Sequence, residues 1–471
     1  MLTSEAIVSQ AFLLTRHWQD TSQGLVLDYW WASEQGPLWT RITGQEVVFF
    51  VARDDMPRVT AALQQQRDWR SRELALRNYL GEAVNGLYFL RLRDARAAER
   101  LLSAQGVRSW EADIRPPERY LMERFITAAA HIELSANSTN PVINPTLAAT
   151  EYRPQLRQVS LDIETTMDAK TLFSIAVYSD VVSCVFMVGE GESTPALIYC
   201  KNQRQCLLEF FAWLEQYDPD VLIGWNLVQF DLWVLENLCK SQRIELALGR
   251  GRERVHWRQE FDDGGRRFIT IPGRVALDGI ELLKAANYRF DSYALQSVAE
   301  SLLGESKLLH GPDRGEDIAD LFHSDKPALA AYNLRDCELV WKIFTQQKLV
   351  QFAMERSQLT GLLLDRIGGS VAAFEYLYLP RLHRSGFVAP NLGELESDVV
   401  SPGGYVMDSR PGIYDNILVL DFKSLYPSIM RTFLIDPCAF WLAEHDSLPE
   451  EETLEGYNGA FFARKGHILP Q

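Results

Sequence analysis

Three segments of this 471-residue chain set acidic side chains into otherwise apolar elements, and that narrows the folds open to it. In VSLDIET the strand period of two puts Val159, Leu161 and Ile163 on one face and Ser160, Asp162 and Glu164 on the other. In LVQFDLWVLENL, Asp231 shares a helix face with Val234, Leu235 and Leu238. In AAYNLRDCELVWKIF, Tyr332 and Asp336 stand one turn apart on a face shared with Val340 and Ile343. An acid on a buried stripe is costly unless something pairs it. Two unit charges about 4 Å apart repel by roughly 4 kcal/mol at an effective dielectric of 20, so a carboxylate pair wants a cation or a shared proton. Taken alone, the DxE of VSLDIET reads more readily as an edge strand with two solvated acids than as a metal site. Three such sites on separate elements converge more economically on metal ions, and magnesium, a hard ion with oxygen ligands, is the natural candidate.

The order of elements around these acids is strand, strand, helix, strand, helix from residue 156 onward, which is α/β order. LRQVSLDIET, LFSIAVYS and DVLIGW read as strands, QRQCLLEFFAWLEQY and LVQFDLWVLENLCK as helices. Residues 1–152 read as a mixed N-terminal domain of short strands (AFLLT, LVLDYWW, EVVFFVA, GLYFLRL) and two helical stretches. One of these, DARAAERLLSAQG, is expected to begin on Asp94 as N-cap and stop at Gly106. AHIELSANSTNPVINPTLAATEYRP, rich in Ser, Thr, Asn and Pro, reads as a linker or irregular crossing. Past about residue 370 the order changes again, so three domains are expected, 1–152, 153–370 and 371–471, in line with roughly 150 residues per domain.

Composition excludes classes more than it selects one. Hydrophobic residues make up 47% and charged residues 23%, which rules out wholesale disorder. The six cysteines form no CxxC pair, so neither disulfides nor zinc are expected, and the scattered histidines suggest no ligand set. No apolar stretch approaches the roughly 18 residues of a membrane span, and MLTSEAIVSQAF is no signal peptide; a soluble, cytoplasmic protein with no membrane partner is expected. The formal net charge of -16 argues, taken alone, against a phosphate-bearing partner.

SLDIET, DPDVLIGWNLVQFDLWVL and YNLRDCELVWKIF resemble, in order and approximate spacing, the three exonuclease motifs of family B DNA polymerases. GRVALDGIELLKA, SYALQSVAESLLGESK and WEADIRPPERYLMERFI resemble family segments around them, so the resemblance covers nearly the whole chain. It implies an α/β and α+β multidomain fold: the mixed N-terminal domain, a ribonuclease H-like 3′ to 5′ exonuclease domain and the start of a polymerase palm. It also implies that Asp162, Glu164, Asp231 and Asp336 bind two Mg²⁺ or Mn²⁺ ions, that Tyr332 orients the attacking water, and that Asn226 and Phe230 lie near a frayed 3′ terminus. The chemistry would be two-metal phosphodiester hydrolysis, with no side chain as nucleophile.

From Arg250 to Arg274 the chain carries seven arginines against four acids, with Asp263-Gly264-Gly265 between two strand-like runs. A basic β-hairpin is expected, either an ordinary charged surface or, through Arg266 and Arg267, a wedge that separates primer from template. Downstream, NILVLDFKSLYPSIM reads as a buried strand ending at Asp421, then a turn into a helix at Pro427. DFKSLYPSI resembles the first palm motif of the family. By that resemblance Asp421 and the Phe422 carbonyl hold metal, the amides of Ser424, Leu425 and Tyr426 cradle a triphosphate, and Tyr426 stacks under the sugar. SPGGYV resembles a template-contacting element, which would put Gly403, Gly404 and Tyr405 against DNA, although a plain turn explains the glycines almost as well. The finger motif KxxxNSxYG and the palm motif DTD are absent, so the chain is expected to be the N-terminal portion of a longer polymerase that does not extend primers by itself. The partners implied are primer-template DNA, single-stranded 3′ ends and, for the longer enzyme, deoxynucleoside triphosphates and a sliding clamp. Two rivals are a stand-alone exonuclease and a noncatalytic DNA-binding derivative; the intact carboxylates weigh against the second.

Overall fold

The computed structural model describes residues 7–134, 140–259, 265–305, 314–394, 407–446, 448–456 and 459–470. The chain divides into two compact units, one from Met1–Gln19, Val26–Thr43 and Tyr120–Phe374, the other from Asp20–Leu25, Gly44–Arg119 and Glu375–Gln471.

At the centre of the first unit lies a six-stranded sheet in the order Leu197–Cys200, Ser183–Val188, Leu172–Tyr178, Gln158–Thr165, Val221–Gly224, Val275–Asp278. The Gln158–Thr165 strand runs antiparallel to Leu172–Tyr178 and parallel to Val221–Gly224, which is itself parallel to Val275–Asp278. Val159, Leu161 and Ile163 face a core built with Phe210 and Leu214 of the Gln203–Tyr217 helix and Leu235 of the Asp231–Ser241 helix. On the opposite face the Lys326–Gln346 helix packs Leu329 and Cys337 against Ala176 and Val185, and Leu339 and Phe344 join Ile223 and Leu277. Helices therefore cover both faces of a mixed sheet, the layering that alternating strands and helices produce. Asn202 caps the first of these helices through Gln205 N, and Asp325 caps the last through Ala328 N, with Pro327 in its opening turn.

A second six-stranded sheet in this unit takes in the segment expected to be a linker. Ala129–Leu134, Val142–Ile143 and Leu147–Thr150 are strands, ordered with Ile7–Thr21, Gly24–Ser33 and Gly36–Gln45. Ala129–Leu134 pairs antiparallel with both Ile7–Thr21 and Leu147–Thr150. A ladder with partners more than 100 residues upstream overrides the local turn chemistry of Asn and Pro.

The arginines of the 250–274 stretch divide between the hairpin's surface and the protein interior. His256–Gln259 and Arg267–Thr270 do pair antiparallel, while Asp263 and Gly264, expected to turn between them, lie outside the described residues. Arg250 and Arg274, however, are buried: Arg250 binds Asp218 and Asp220, and Arg274 binds Asp218 (2.7 Å) and the carbonyls of Pro219 (3.1 Å), Leu248 (2.8 Å) and Leu214 (3.3 Å). Arg252 pairs with Glu215, and Arg266 with Glu281. Two of the seven arginines are thus spent inside the protein, tying the end of the Gln203–Tyr217 helix to the start of the Val275–Asp278 strand, while Arg252, Arg254, Arg258 and Arg266 stay exposed.

The second unit holds a four-stranded sheet in the order Trp69–Arg77, Ala83–Phe89, Val47–Ala52, Ser109–Trp110. Its helix spans Leu92–Ala104 and so begins before Asp94. Asp20 supplies the cap, its two carboxylate oxygens accepting from Leu92 N and Arg93 N at 2.9 Å. Because the capping group lies 72 residues upstream, no local pattern could have pointed to it. The strand expected to end at Asp421 is not formed: residues 416–422 make no ladder, and Leu418, Val419 and Leu420 are 86%, 90% and 89% exposed. A strand exists only through its pairing, and the described residues offer this segment none. The following helix does form, over Leu425–Phe433, with Pro427 in its first turn.

Replacing Arg274 by Met keeps the aliphatic stem but leaves Asp218 and three carbonyls short of a donor. We expect a loss of about 3 kcal/mol or more in denaturant unfolding of the first unit; a loss below about 1 kcal/mol would show that Arg250 alone holds this junction.

Candidate active site

The DxE strand is the fourth of six, hydrogen-bonded on both sides, which disposes of the solvated-edge reading. Asp162 stands opposite Ala176 and Glu164 opposite Ser174, so both acids project toward the face covered by the Lys326–Gln346 helix. That helix brings Asp336, and the carboxylate oxygens of Asp162, Glu164 and Asp336 lie within 4.8 Å of one another. Glu164 and Asp336 are buried, at 5% and 2% exposure, and Tyr332 is buried one turn before Asp336. Asp231, 2% exposed, is joined to the same strand because its Oδ1 accepts from Ile163 N at 3.2 Å. Burial, and then the charge of Asp162, pushes the Asp231 carboxyl well above the usual carboxylate range.

At 4.8 Å, two carboxylates repel by roughly 3 kcal/mol at an effective dielectric of 20, and burial adds to the cost. A set made only of carboxylate oxygens matches a hard divalent cation. The neighbouring thiol does not change that donor set. Cys337 is buried, donates to the Ala176 carbonyl, and is held protonated by burial and then by the charges of Asp162, Asp336 and Asp231.

The helix carrying Asp231 starts at that residue, so the expected Leu227–Phe230 portion of it is instead a loop. Asn226 has a φ of 60°, and its side chain and that of Phe230 (42% exposed) face outward while Leu227 and Asp231 turn in. Three features hold this loop. Gly224 approaches so closely that a Cβ there would meet Leu227 at 2.9 Å and the Leu161 carbonyl at 3.1 Å. Gln229 pairs twice with the Arg267 backbone, donating to its carbonyl at 2.8 Å and accepting from its amide at 3.1 Å. Asp278 accepts from the amides of Ile280 (2.9 Å) and Glu281 (3.3 Å) at the start of the Gly279–Ala285 helix and from the Leu227 amide as well. Arg266, Arg267, Asn226 and Asp278 line a cavity of about 360 Å³ beside the loop, and the Arg267 guanidinium lies 4.3 Å over Trp233.

Gln229 and Asp278 were not singled out from the sequence. Asp278 had a readable signal, an acid closing the apolar run VAL before GIELLKA, which is the pattern of an N-cap. Nothing local marks Gln229. Asp421, Phe422, Ser424, Leu425 and Tyr426 belong to the other unit and are exposed. Ser424 has a φ of 56° and opens the Leu425–Phe433 helix. Gly403, Gly404 and Tyr405 lie outside the described residues.

Comparison with known proteins adds to this geometry. Residues 107–298 match the model for the exonuclease domain of DNA polymerase family B, residues 11–65 that for the N-terminal part of DNA polymerase II, and residues 367–455 that for DNA polymerase family B. DNA polymerase II of Escherichia coli (strain K12) is 46% identical over 468 residues, covering 98% of this chain and 59% of that protein. The DNA polymerase delta catalytic subunit of Glycine max is 28% identical over 301 residues, 58% of this chain and 27% of that one. The chain thus spans little more than half the length of the first relative and less of the second. The structure of the family B DNA polymerase from Pyrobaculum calidifontis superposes with a TM-score of 0.77 at 21% identity, over 98% of this chain and 62% of that one, a likeness of fold.

Burial pushes Asp278 up to about 6. Its folded state therefore binds a proton more tightly than the unfolded chain, and the resulting stability is lost as pH rises from about 4 through about 6. Asp278→Asn keeps a capping oxygen and removes the titration. Relative to wild type, its unfolding free energy should gain about 2 kcal/mol between pH 4 and pH 7; parallel stability profiles for the two proteins would refute the assignment.

Proposed function

Because this chain belongs to family B of the DNA polymerases, we propose that its first unit is a 3′ to 5′ exonuclease that trims single-stranded DNA ends. The carrying observation is the meeting of Asp162, Glu164 and Asp336 within 4.8 Å, with Asp231 bonded to the same strand. These four carboxylates would hold two Mg²⁺ or Mn²⁺ ions. When bound, such ions supply positive charge that acidifies water and steadies the leaving 3′ oxygen.

The protein's own side chains do the rest. Tyr332, on the same helix face as Asp336, orients the attacking water. Asn226 and Phe230, outward on their held loop, take the unpaired terminal nucleotide, the Phe230 ring by stacking on its base. Water adds to phosphorus, the bond from phosphorus to the 3′ oxygen breaks, and a nucleoside monophosphate leaves as the strand regains a 3′ hydroxyl. No side chain need become covalently attached, consistent with a Cys337 thiol held protonated.

In the second unit Asp421 and the Phe422 carbonyl are the proposed metal ligands of nucleotidyl transfer in a longer enzyme, whose substrates are primer-template DNA and deoxynucleoside triphosphates. The amides of Ser424, Leu425 and Tyr426 stand at the opening of the Leu425–Phe433 helix, where N–H groups without helical partners suit a phosphate, and Tyr426 is exposed for the sugar. Gly403, Gly404 and Tyr405 would contact the template strand. A functional division at 1–152, 153–370 and 371–471 follows this reading. So do a sliding clamp as partner of the longer enzyme and a cytoplasmic, nucleoid-associated location. Among the described residues no helix is long and apolar enough to cross a membrane.

Asp162→Ala should slow Mg²⁺-dependent release of mononucleotides from 3′-labelled single-stranded DNA by on the order of a hundredfold or more. Unchanged digestion would remove the cluster from the reaction. The hairpin role is tested separately with Arg266→Ala and Arg267→Ala together. If these residues help part the primer end from its template, digestion of paired 3′ ends falls about fivefold further than that of single strands, the equivalent of about 1 kcal/mol. Equal losses on both substrates would leave the arginines as partners of Glu281 and Trp233 only.

A further inference from the structure

A neutral relay reaches the carboxylate cluster from within the protein. Ser174 Oγ donates to Asn333 Oδ1 at 2.8 Å, and Asn333 Nδ2 donates to Asp162 Oδ2 at 2.6 Å. Ser174 and Asn333 are both fully buried. They come from different elements, Ser174 from the Leu172–Tyr178 strand and Asn333 from the Lys326–Gln346 helix. Ser174 is the cross-strand partner of Glu164, so the relay starts beside one acid of the cluster and ends on another.

We infer that Asn333, oriented by Ser174, is a positioning residue that fixes the Asp162 carboxylate for divalent-cation binding. The inference rests on the metal-site reading above. The chain of donors explains why an amide is needed here. The Asp162 carboxylate can only accept, so the amide must turn its NH₂ group to it, and the amide oxygen is then held by the Ser174 hydroxyl, which donates to it. A short hydrogen bond to a charged acceptor is among the stronger kinds, and here it acts on a side chain that must keep one rotamer among like charges. Charge matters as much as geometry. An Arg or Lys in this place would hold Asp162 equally well but would bring a positive charge to compete with the cation, whereas a neutral amide orients the carboxylate and leaves its charge for the ion. Asn333 also lies between Tyr332 and Asp336 on one helix, so the bond to Asp162 ties the helix that carries these two to the strand that carries the other acids.

Asn333→Leu conserves size and removes both bonds; Ser174→Ala removes only the orienting one. Mn²⁺ binding to the DNA-free 471-residue chain, measured by calorimetry, should weaken about tenfold or more in Asn333→Leu and about threefold in Ser174→Ala. In both, single-strand digestion should recover toward the wild-type rate as Mn²⁺ is raised. A purely structural role would lower the melting temperature without moving the Mn²⁺ affinity. Should Asn333→Leu fail to fold, Ser174→Ala decides by the same measurement. If wild type binds Mn²⁺ and the folded variants bind it equally well, the relay is overturned while the metal-site reading stands. If wild type binds none, the metal-site reading falls and the relay falls with it.

Discussion

Repulsion among buried carboxylates is the constraint on which this structure depends. Asp162, Glu164 and Asp336 share a space in which their oxygens lie within 4.8 Å, and Asp231 is buried against the same strand. A fold that assembles them pays in desolvation and in like-charge energy, and these costs are tolerable only if the surrounding elements are rigid and a cation can be taken up. The arrangement of the first unit answers this need. The DxE strand is central, the helix with Tyr332 and Asp336 is capped by Asp325, and a neutral amide holds Asp162 where a cationic partner would have cancelled its charge.

A similar economy governs the arginines. Whole-chain charge is -16, yet several arginines of the most basic segment are committed to acids of the protein itself. Arg250 and Arg274 act as internal braces around Asp218 and Asp220, at the start of the Val221–Gly224 and Val275–Asp278 strands, whose other ends lead to the loop before Asp231 and to Asp278. Counting charges along a segment therefore misjudged what its surface offers. Conversely, the carboxylates of the cluster count toward the negative sum while facing inward, so the net charge says little about how a polyanion is met.

Much of the candidate site was legible because its residues break a pattern. Asp231 and Asp336 sit on stripes that burial otherwise reserves for Leu, Val and Ile, and Asp162 and Glu164 alternate with core residues. The residues that support the site were not legible, since nothing in their neighbourhood is out of place. Asn333 is one polar residue in a helix, Ser174 one small residue in a strand, and Gln229 one amide in a loop. Each gains its role only through a partner 38 to 171 residues away in sequence. The same holds for the cap that Asp20 supplies to the Leu92–Ala104 helix and for the supposed linker that joined a sheet.

Period and composition alone determined the α/β order, the inward acids and the oxygen-only donor set, because side-chain spacing and the cost of buried charge are local properties. Tertiary structure decided whether each expected element has something to pair with. The DxE strand acquired neighbours on both sides, and the loop before Asp231 was fixed by Gly224, Gln229 and Asp278. The run before Asp421, apolar as a buried strand would be, found no ladder among the described residues and is exposed. A helix closes its hydrogen bonds within itself, which is why Leu425–Phe433 forms as expected, whereas a strand's bonds belong to its neighbours and cannot be read from the strand.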